Sequence, residues 1–251
     1  MEQFATKGKK NIWYLEKLWD LQGNKRDTSI QSTAFVNGIL YAFYHDSIIQ
    51  RYRDGSLLDE FSPSEGILYH ANDAEYDGTS FLIVDTGTKE TPPMLKKYDQ
   101  VRNVVSKEWK PSIPGWRMAA SSLTENGVCL IVLVEDTDPS IRTKLSICSF
   151  DFSSEKVEEI AVLPHWHRYV QGCAVRGPEL FITTNDGAHS EKTRFLAYDL
   201  QNRMIVHNLV FEGFGESEGM FCTSDGYLLT GRSMGDGKSA VYRLRAKGEA
   251  S

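Results

Sequence analysis

Apolar residues in this 251-residue chain come in short continuous runs rather than helical stripes, and the runs return at a regular interval. Five of them, at 39–44, 81–84, 128–134, 180–183 and 227–230, each follow a glycine turn. The turns are Asn37-Gly38, Asp77-Gly78, Asn126-Gly127, Arg176-Gly177 and Asp225-Gly226, with glycines 40, 49, 50 and 49 residues apart. Asn-Gly and Asp-Gly supply the positive φ that tight hairpins need. Runs that stay apolar at every position fit strands covered on both faces. An aromatic follows each run: Tyr52, Tyr98, Phe150, Tyr198 and Tyr242, at a matching interval. Strand-type sequence with this period predicts propeller blades, each unable to bury its own faces without neighbours. The expected fold class is therefore all-β, a five-bladed β-propeller.

One domain is expected over 1–251, with blades near 28–62, 68–110, 115–163, 168–212 and 216–246. Outer strands are predicted at 56–61, 103–109, 156–162 and 204–211, but the chain ends too soon after Tyr242 to give the fifth blade its own. The stretch 11–21 is the unassigned segment able to fill that place, which would close the ring and remove two open sheet edges. A helix competes for the same residues, because Ile12, Leu15 and Trp19 share a helical face. The recurrent aromatics are read as packing between blades.

Composition narrows the partners. With 28 basic and 34 acidic residues the net charge is -6, which offers no broad attraction to nucleic acid or to anionic membranes. Residues 1–10 lack the apolar run of a signal peptide, and no stretch approaches membrane-spanning length. Synthesis in the cytoplasm without membrane insertion is the expectation. Cys129, Cys148, Cys173 and Cys222 each lie in an apolar strand pattern with no CxxC pair, so they are read as buried free thiols.

Propeller topology brings the D–A loops, the B–C loops and the starts of the inner strands to one face, where loops on a rigid scaffold carry function. The inner strands open with Gln31-Ser32, His70-Ala71-Asn72-Asp73, Ala119-Ala120-Ser121, Gln171-Gly172 and Glu216-Ser217-Glu218-Gly219. Gln31, His70, Asn72, Asp73, Gln171, Glu216 and Glu218 are expected to converge on a small polar ligand or on ordered water. Trp116 and Trp166 are expected to stack on that ligand, with Tyr69, Tyr169 and Phe214 nearby. Flat rings beside amides and carboxylates suit a sugar, although packing under the loops explains many such rings.

Metal chemistry has weak support. His165-Trp166-His167 puts two imidazoles on one side of a strand, but no third ligand follows. The acidic runs at Glu135-Asp136-Thr137-Asp138 and Asn185-Asp186-Gly187 lack full calcium-loop spacing and read as turn chemistry. No metal and no cofactor are expected. Glu216 and Glu218 alternate along a strand, so with His70 and Asp73 they are the candidates for acid–base work on a glycan. No nucleophile turn, phosphate-cradling loop or H-E-x-x-H helix is present in the sequence.

The phrases His70-Ala-Asn-Asp, Gln171-Gly172 and Glu216-Ser-Glu-Gly219, each opening a blade, resemble a known propeller domain. It is the one shared by staphylococcal phage receptor-binding proteins, a teichoic-acid-locus protein and helveticin-type bacteriocins. The likeness runs from about Ser29 to Leu244, with Gln31-Ser32 and Ala119-Ala120 at the equivalent places in blades one and three. It implies recognition of bacterial surface glycans and association with a virion or another assembly. The leading expectation is thus a non-catalytic, carbohydrate-binding recognition module. A glycan hydrolase or lyase using the mouth carboxylates is the first alternative, and a structural or protein-binding scaffold the second.

Overall fold

The computed structural model describes residues 3–5, 13–22, 30–45, 47–87, 91–164, 169–185, 192–212, 215–224, 226–232 and 238–246, without the side chains of 3–5 and 232. Strands dominate throughout. The chain begins with β1 (Gln3–Ala5) and β2 (Trp13–Asp20). Blade 1 follows as β3 (Ser32–Val36), β4 (Ile39–Phe43), β5 (Ile49–Arg53) and β6 (Ser56–Phe61). Blade 2 is β7 (Ala71–Tyr76), β8 (Phe81–Asp85), β9 (Met94–Asp99) and β10 (Val104–Trp109). Blade 3 is β11 (Trp116–Leu123), β12 (Cys129–Glu135), β13 (Lys144–Asp151) and β14 (Lys156–Pro164), with a single 3-10 turn at Pro139–Ile141. Blade 4 is β15 (Tyr169–Arg176), β16 (Glu179–Asn185), β17 (Lys192–Asp199) and β18 (Met204–Glu212). Blade 5 begins as β19 (Glu216–Thr223), β20 (Gly226–Arg232) and β21 (Ser239–Ala246).

Five antiparallel sheets result, and their inner strands β3, β7, β11, β15 and β19 pack in sequence around one axis. The ring closes as the sequence suggests. β2 pairs with β21, Leu15 opposite Leu244 and Trp13 opposite Ala246, so the N-terminal segment is a strand and not a helix. β1 then adds a further strand outside β2, making the closing sheet five-stranded.

Each hydrophobic cluster lies between two successive blades, and each contains one recurrent aromatic. Tyr98 packs between blades 1 and 2, Phe150 between 2 and 3, Tyr198 between 3 and 4, Tyr242 between 4 and 5, and Tyr52 between 5 and 1. All five are buried. Burying a ring of this size stabilises by about 2–3 kcal/mol, so one such residue per interface holds each blade to its neighbour. The cysteines are free; Cys129, Cys148 and Cys173 are buried and Cys222 partly so.

The inner strands are not regular. Register slips by one residue in four of them, between Ala71 and Asp73, Met118 and Ala120, Val170 and Gly172, and Glu218 and Met220. A bulge re-aims the side chain it carries. All four slips fall near the strand starts, at the same end of the ring, while β3 keeps its register with β4. Two glycines make room for this crowding. A Cβ on Gly172 would stand 2.7 Å from Met220 N, and one on Gly219, at φ +68°, would stand 2.8 Å from Thr33 N.

Candidate functional site

At that end the axis opens into a mouth of about 430 Å³. Gln31, His70, Asn72, Gln171, Glu216 and Glu218 all line it, drawn from blades 1, 2, 4 and 5. The bulges at Asn72 and Gln171 account for two of these positions: each is the extra residue of its strand. Blade 3 adds Arg117 and Arg142, and blade 2 adds Thr86.

Asn72 and Asp73 serve the ring itself. Asn72 Nδ2 donates to the carbonyls of Ala119 (2.7 Å) and Val170 (3.2 Å), bridging blades 3 and 4 from blade 2. Asp73 is wholly buried and does not line the mouth. Its Oδ2 accepts the N–H groups of Ser121 (3.2 Å) and Cys173 (3.0 Å), and Oδ1 that of Ala74 (3.1 Å). The inner strand of a blade is a sheet edge, and no further strand lies inside it to receive its backbone N–H groups. Asp73 supplies that acceptor for two blades at once. Burial pushes its carboxyl well above the usual range, and Glu75 pushes the same way, while the three amides oppose.

A fixed scaffold surrounds His70. The Asp85 carboxylate receives the N–H groups of Tyr69, His70 and Gly87, each at 2.9 Å, and the Lys96 ammonium at 2.9 Å. Burial alone would raise Asp85; the Lys96 contact and the amides outweigh it and hold it below the ordinary carboxylate value. Thr86 N–H donates to His70 O at 2.9 Å, and the Arg117 guanidinium donates to Thr86 O, tying blade 3 to blade 2 at the rim. The His45 and His70 rings meet edge to face at 4.4 Å. Burial, then His45 and Arg117, pull His70 down to about 4 despite Asp85, so the imidazole is neutral at pH 7.

Charge is divided around the mouth. Blade 3 brings Arg117 and Arg142; blade 5 brings Glu216 and Glu218; Gln171 of blade 4 stands between and donates to Glu216 Oε1 at 3.2 Å. Arg142 also donates from Nε to the Glu135 carbonyl at 2.9 Å. Its pKa is lowered by burial and then by the nearby Arg117 charge. Such a wall can receive hydroxyls, amides and an anionic substituent together.

The aromatics and acidic runs noted in the sequence are divided between the mouth and other places. Trp116 packs, partly buried, against the cluster between blades 2 and 3, and is not part of the mouth lining. Tyr169 lines the mouth, whereas Tyr69 borders a separate cavity near Lys96. Trp166, with His165, His167 and Arg168, falls outside the described residues, as do Phe214, Asp186 and Gly187. The acidic run of blade 3 is engaged in local turns: Glu135 Oε2 receives Thr143 N–H at 2.6 Å and Asp138 caps the 3-10 turn through Ser140 N–H at 2.7 Å. Among the described residues no cluster of metal-binding side chains occurs, and no helix is long and apolar enough to cross a membrane. Sequence reasoning missed Thr86 and Arg142. The topology placed B–C loops at this face, and both residues sit on such loops.

No family model and no curated protein matches the chain. Solved structures do. The chain is similar to the tail fiber of Staphylococcus aureus phage P68, with a TM-score of 0.58 and 14% identity over 92% of this chain and 52% of that one. It is similar too to Myxococcus xanthus glutaminyl cyclase, with a TM-score of 0.53 and 11% identity over 92% of this chain and 99% of that one. The chain thus spans about half the length of the tail fiber it matches. At these identities the likeness is one of fold, and the resemblance to a phage receptor-binding propeller holds at that level.

Proposed function

We propose that the mouth binds carbohydrate and that the chain is a non-catalytic recognition module for a surface glycan. The observation that supports this most is the convergence of Gln31, His70, Asn72, Gln171, Glu216 and Glu218 on one pocket of about 430 Å³. Amides and carboxylates on a rigid ring suit sugar hydroxyls, because their directions are set before the ligand arrives. Tyr169 is the aromatic of the lining that would stack on the sugar, with Trp166 a further candidate from the sequence. Arg117 and Arg142 favour a sugar with an anionic substituent. The fold likeness to a phage tail fiber fits a role in a virion alongside other assembly proteins.

The test is a glycan array followed by calorimetry. Acidic bacterial surface glycans are expected to bind, and Glu218→Gln and Gln171→Ala to weaken them about tenfold or more. A folded sample with no signal above background overturns the reading.

Hydrolysis or lyase chemistry is the second reading, because two carboxylates, Glu216 and Glu218, share the mouth and the fold is also that of an enzyme. Product release from a bound polysaccharide, abolished by Glu218→Gln with binding retained, would place it first. Asp73 is excluded from that chemistry by its burial and its three amide partners.

A further inference from the structure

A second cavity opens at the opposite end of the ring, among the A–B hairpins. It encloses about 700 Å³, a size typical of small-ligand sites. It runs outward from the axis along the crevice between blades 2 and 3. Its outer wall is aromatic: Trp109 of β10 and Phe152, just beyond β13, stand 4.8 Å apart between ring centroids. Leu82, Leu123 and Val175 carry the apolar surface inward. Glu75 of β7 stands at the axial end, buried.

The charges in this cavity are unequal. Asp77 is neutralised by Lys97 at 2.8 Å and held by Thr79 and Ser80 N–H groups. Lys107 lies at the exposed rim with Nζ 4.7 Å from the Trp109 ring centre. Glu75 receives the Ser122 hydroxyl at 2.9 Å, and among the described residues no basic side chain pairs with it. A buried carboxylate without a counter-charge is costly, and an arriving cation would relieve that cost. Burial raises Glu75 to about 7, with Ser122 and the Tyr76 and Leu123 amides offsetting only part of the penalty.

We propose that this cavity binds an aromatic amine, its ring seated against Trp109 and Phe152 and its ammonium reaching toward Glu75. The aromatic wall selects a planar apolar group, and Glu75, with Glu125 of the same lining, selects a cation; Glu75 and the aromatic wall lie at opposite ends of one cleft. An aromatic carboxylate would meet Lys97, already paired with Asp77, and Lys107 at the rim.

The experiment is amide NMR on the full chain, titrated with phenethylamine and 4-phenylbutylamine, with phenylacetate and 3-phenylpropanol as charge controls. The amines are expected to move the amide signals of Leu82, Thr124 and Phe152 while leaving those of Gln171 and Glu218 in place. Phenylacetate should bind about tenfold more weakly or worse, and Glu75→Gln should remove most of that preference. If Glu75→Gln does not fold, Phe152→Ala takes its place; it should weaken the amines and 3-phenylpropanol alike. Equal binding of amine and carboxylate overturns the proposal. So does an unmoved Leu82, Thr124 and Phe152 set at about 10 mM amine.

Discussion

Asp73 on blade 2 accepts the backbone N–H of Cys173 on blade 4, one hundred residues away, at 3.0 Å across the axis of the ring. The same oxygen takes Ser121 N–H of blade 3. One carboxyl therefore satisfies the inner edges of two other blades, in a place water does not reach. Asn72 repeats the device with the opposite polarity, donating to the carbonyls of Ala119 and Val170. Glu75 extends it toward the other end through Ser122, whose oxygen also receives Val175 N–H at 3.1 Å. Three positions on β7 thus fasten blades 2, 3 and 4 from the inside.

Removing the acceptor should cost more than any surface change. Asp73→Ala leaves buried N–H groups unmet and is expected to lower unfolding free energy by about 3 kcal/mol. Asp73→Asn keeps a carbonyl oxygen of nearly the same shape and should cost less than half of that. Urea denaturation of the three proteins decides it: an alanine variant as stable as the parent would show that Asp73 is not a fastener.

His70 and Glu75 should give opposing pH slopes. An unfolded glutamate titrates near 4.5 and folded Glu75 at about 7. Between these values the folded chain keeps a proton that the unfolded chain has released, so the stability contributed by Glu75 is full at low pH and lost as pH rises toward 7. An unfolded histidine titrates near 6.5 and folded His70 at about 4. There the unfolded chain holds the extra proton, so the His70 contribution is full above pH 6.5 and lost as pH falls to 4. Relative to the parent, Glu75→Gln should gain stability by on the order of 3 kcal/mol as pH rises from 4.5 to 7. His70→Asn should fall behind the parent by a similar amount as pH rises from 4 to 6.5. Stability profiles of both variants that stay parallel to the parent would contradict the assignment.

Two classes of glycine should separate cleanly. Gly127 needs its positive φ but has open space around it, so Gly127→Ala should cost about 1 kcal/mol. Gly172 stands against the backbone of β19, where a Cβ would meet Met220 N at 2.7 Å. Gly172→Ala is expected to cost about 2–4 kcal/mol and to weaken any ligand of the mouth, because Gln171 is next to it. Equal melting temperatures for the two variants would argue against close approach of the inner strands.

Ring closure has its own test. A chain beginning at Asp27 lacks β2 and exposes both β21 and the side chains packed against Trp13 and Leu15. Its melting temperature should fall by about 10 °C or more, with a loss of cooperativity. Unchanged thermal stability would mean that β2 does not close the ring.

Much of the architecture was legible in the chain because it follows from local chemistry. Asn37 and Gly38 both adopt positive φ, 51° and 78°, as their identities suggest, and the apolar run after them is strand β4. Tyr98 and Phe150 recur at blade spacing because every blade must cover its neighbour with a large ring. The mouth was partly legible for a topological reason: the same strand order always delivers the inner-strand starts to one end. What the chain alone did not tell was which way each side chain faces there. Asn72 and Asp73 are adjacent in sequence, yet the bulge between Ala71 and Asp73 sends one to the mouth and the other to a dry interior. Nor does any spacing place Glu75 beside a cleft walled by Trp109 and Phe152, since those three come from β7, β10 and the turn after β13, in two blades. Backbone propensity and apolar period act over a few residues and so can be read in order. Burial, register slips and the meeting of distant side chains depend on how five sheets crowd one axis, and only the folded ring decides them.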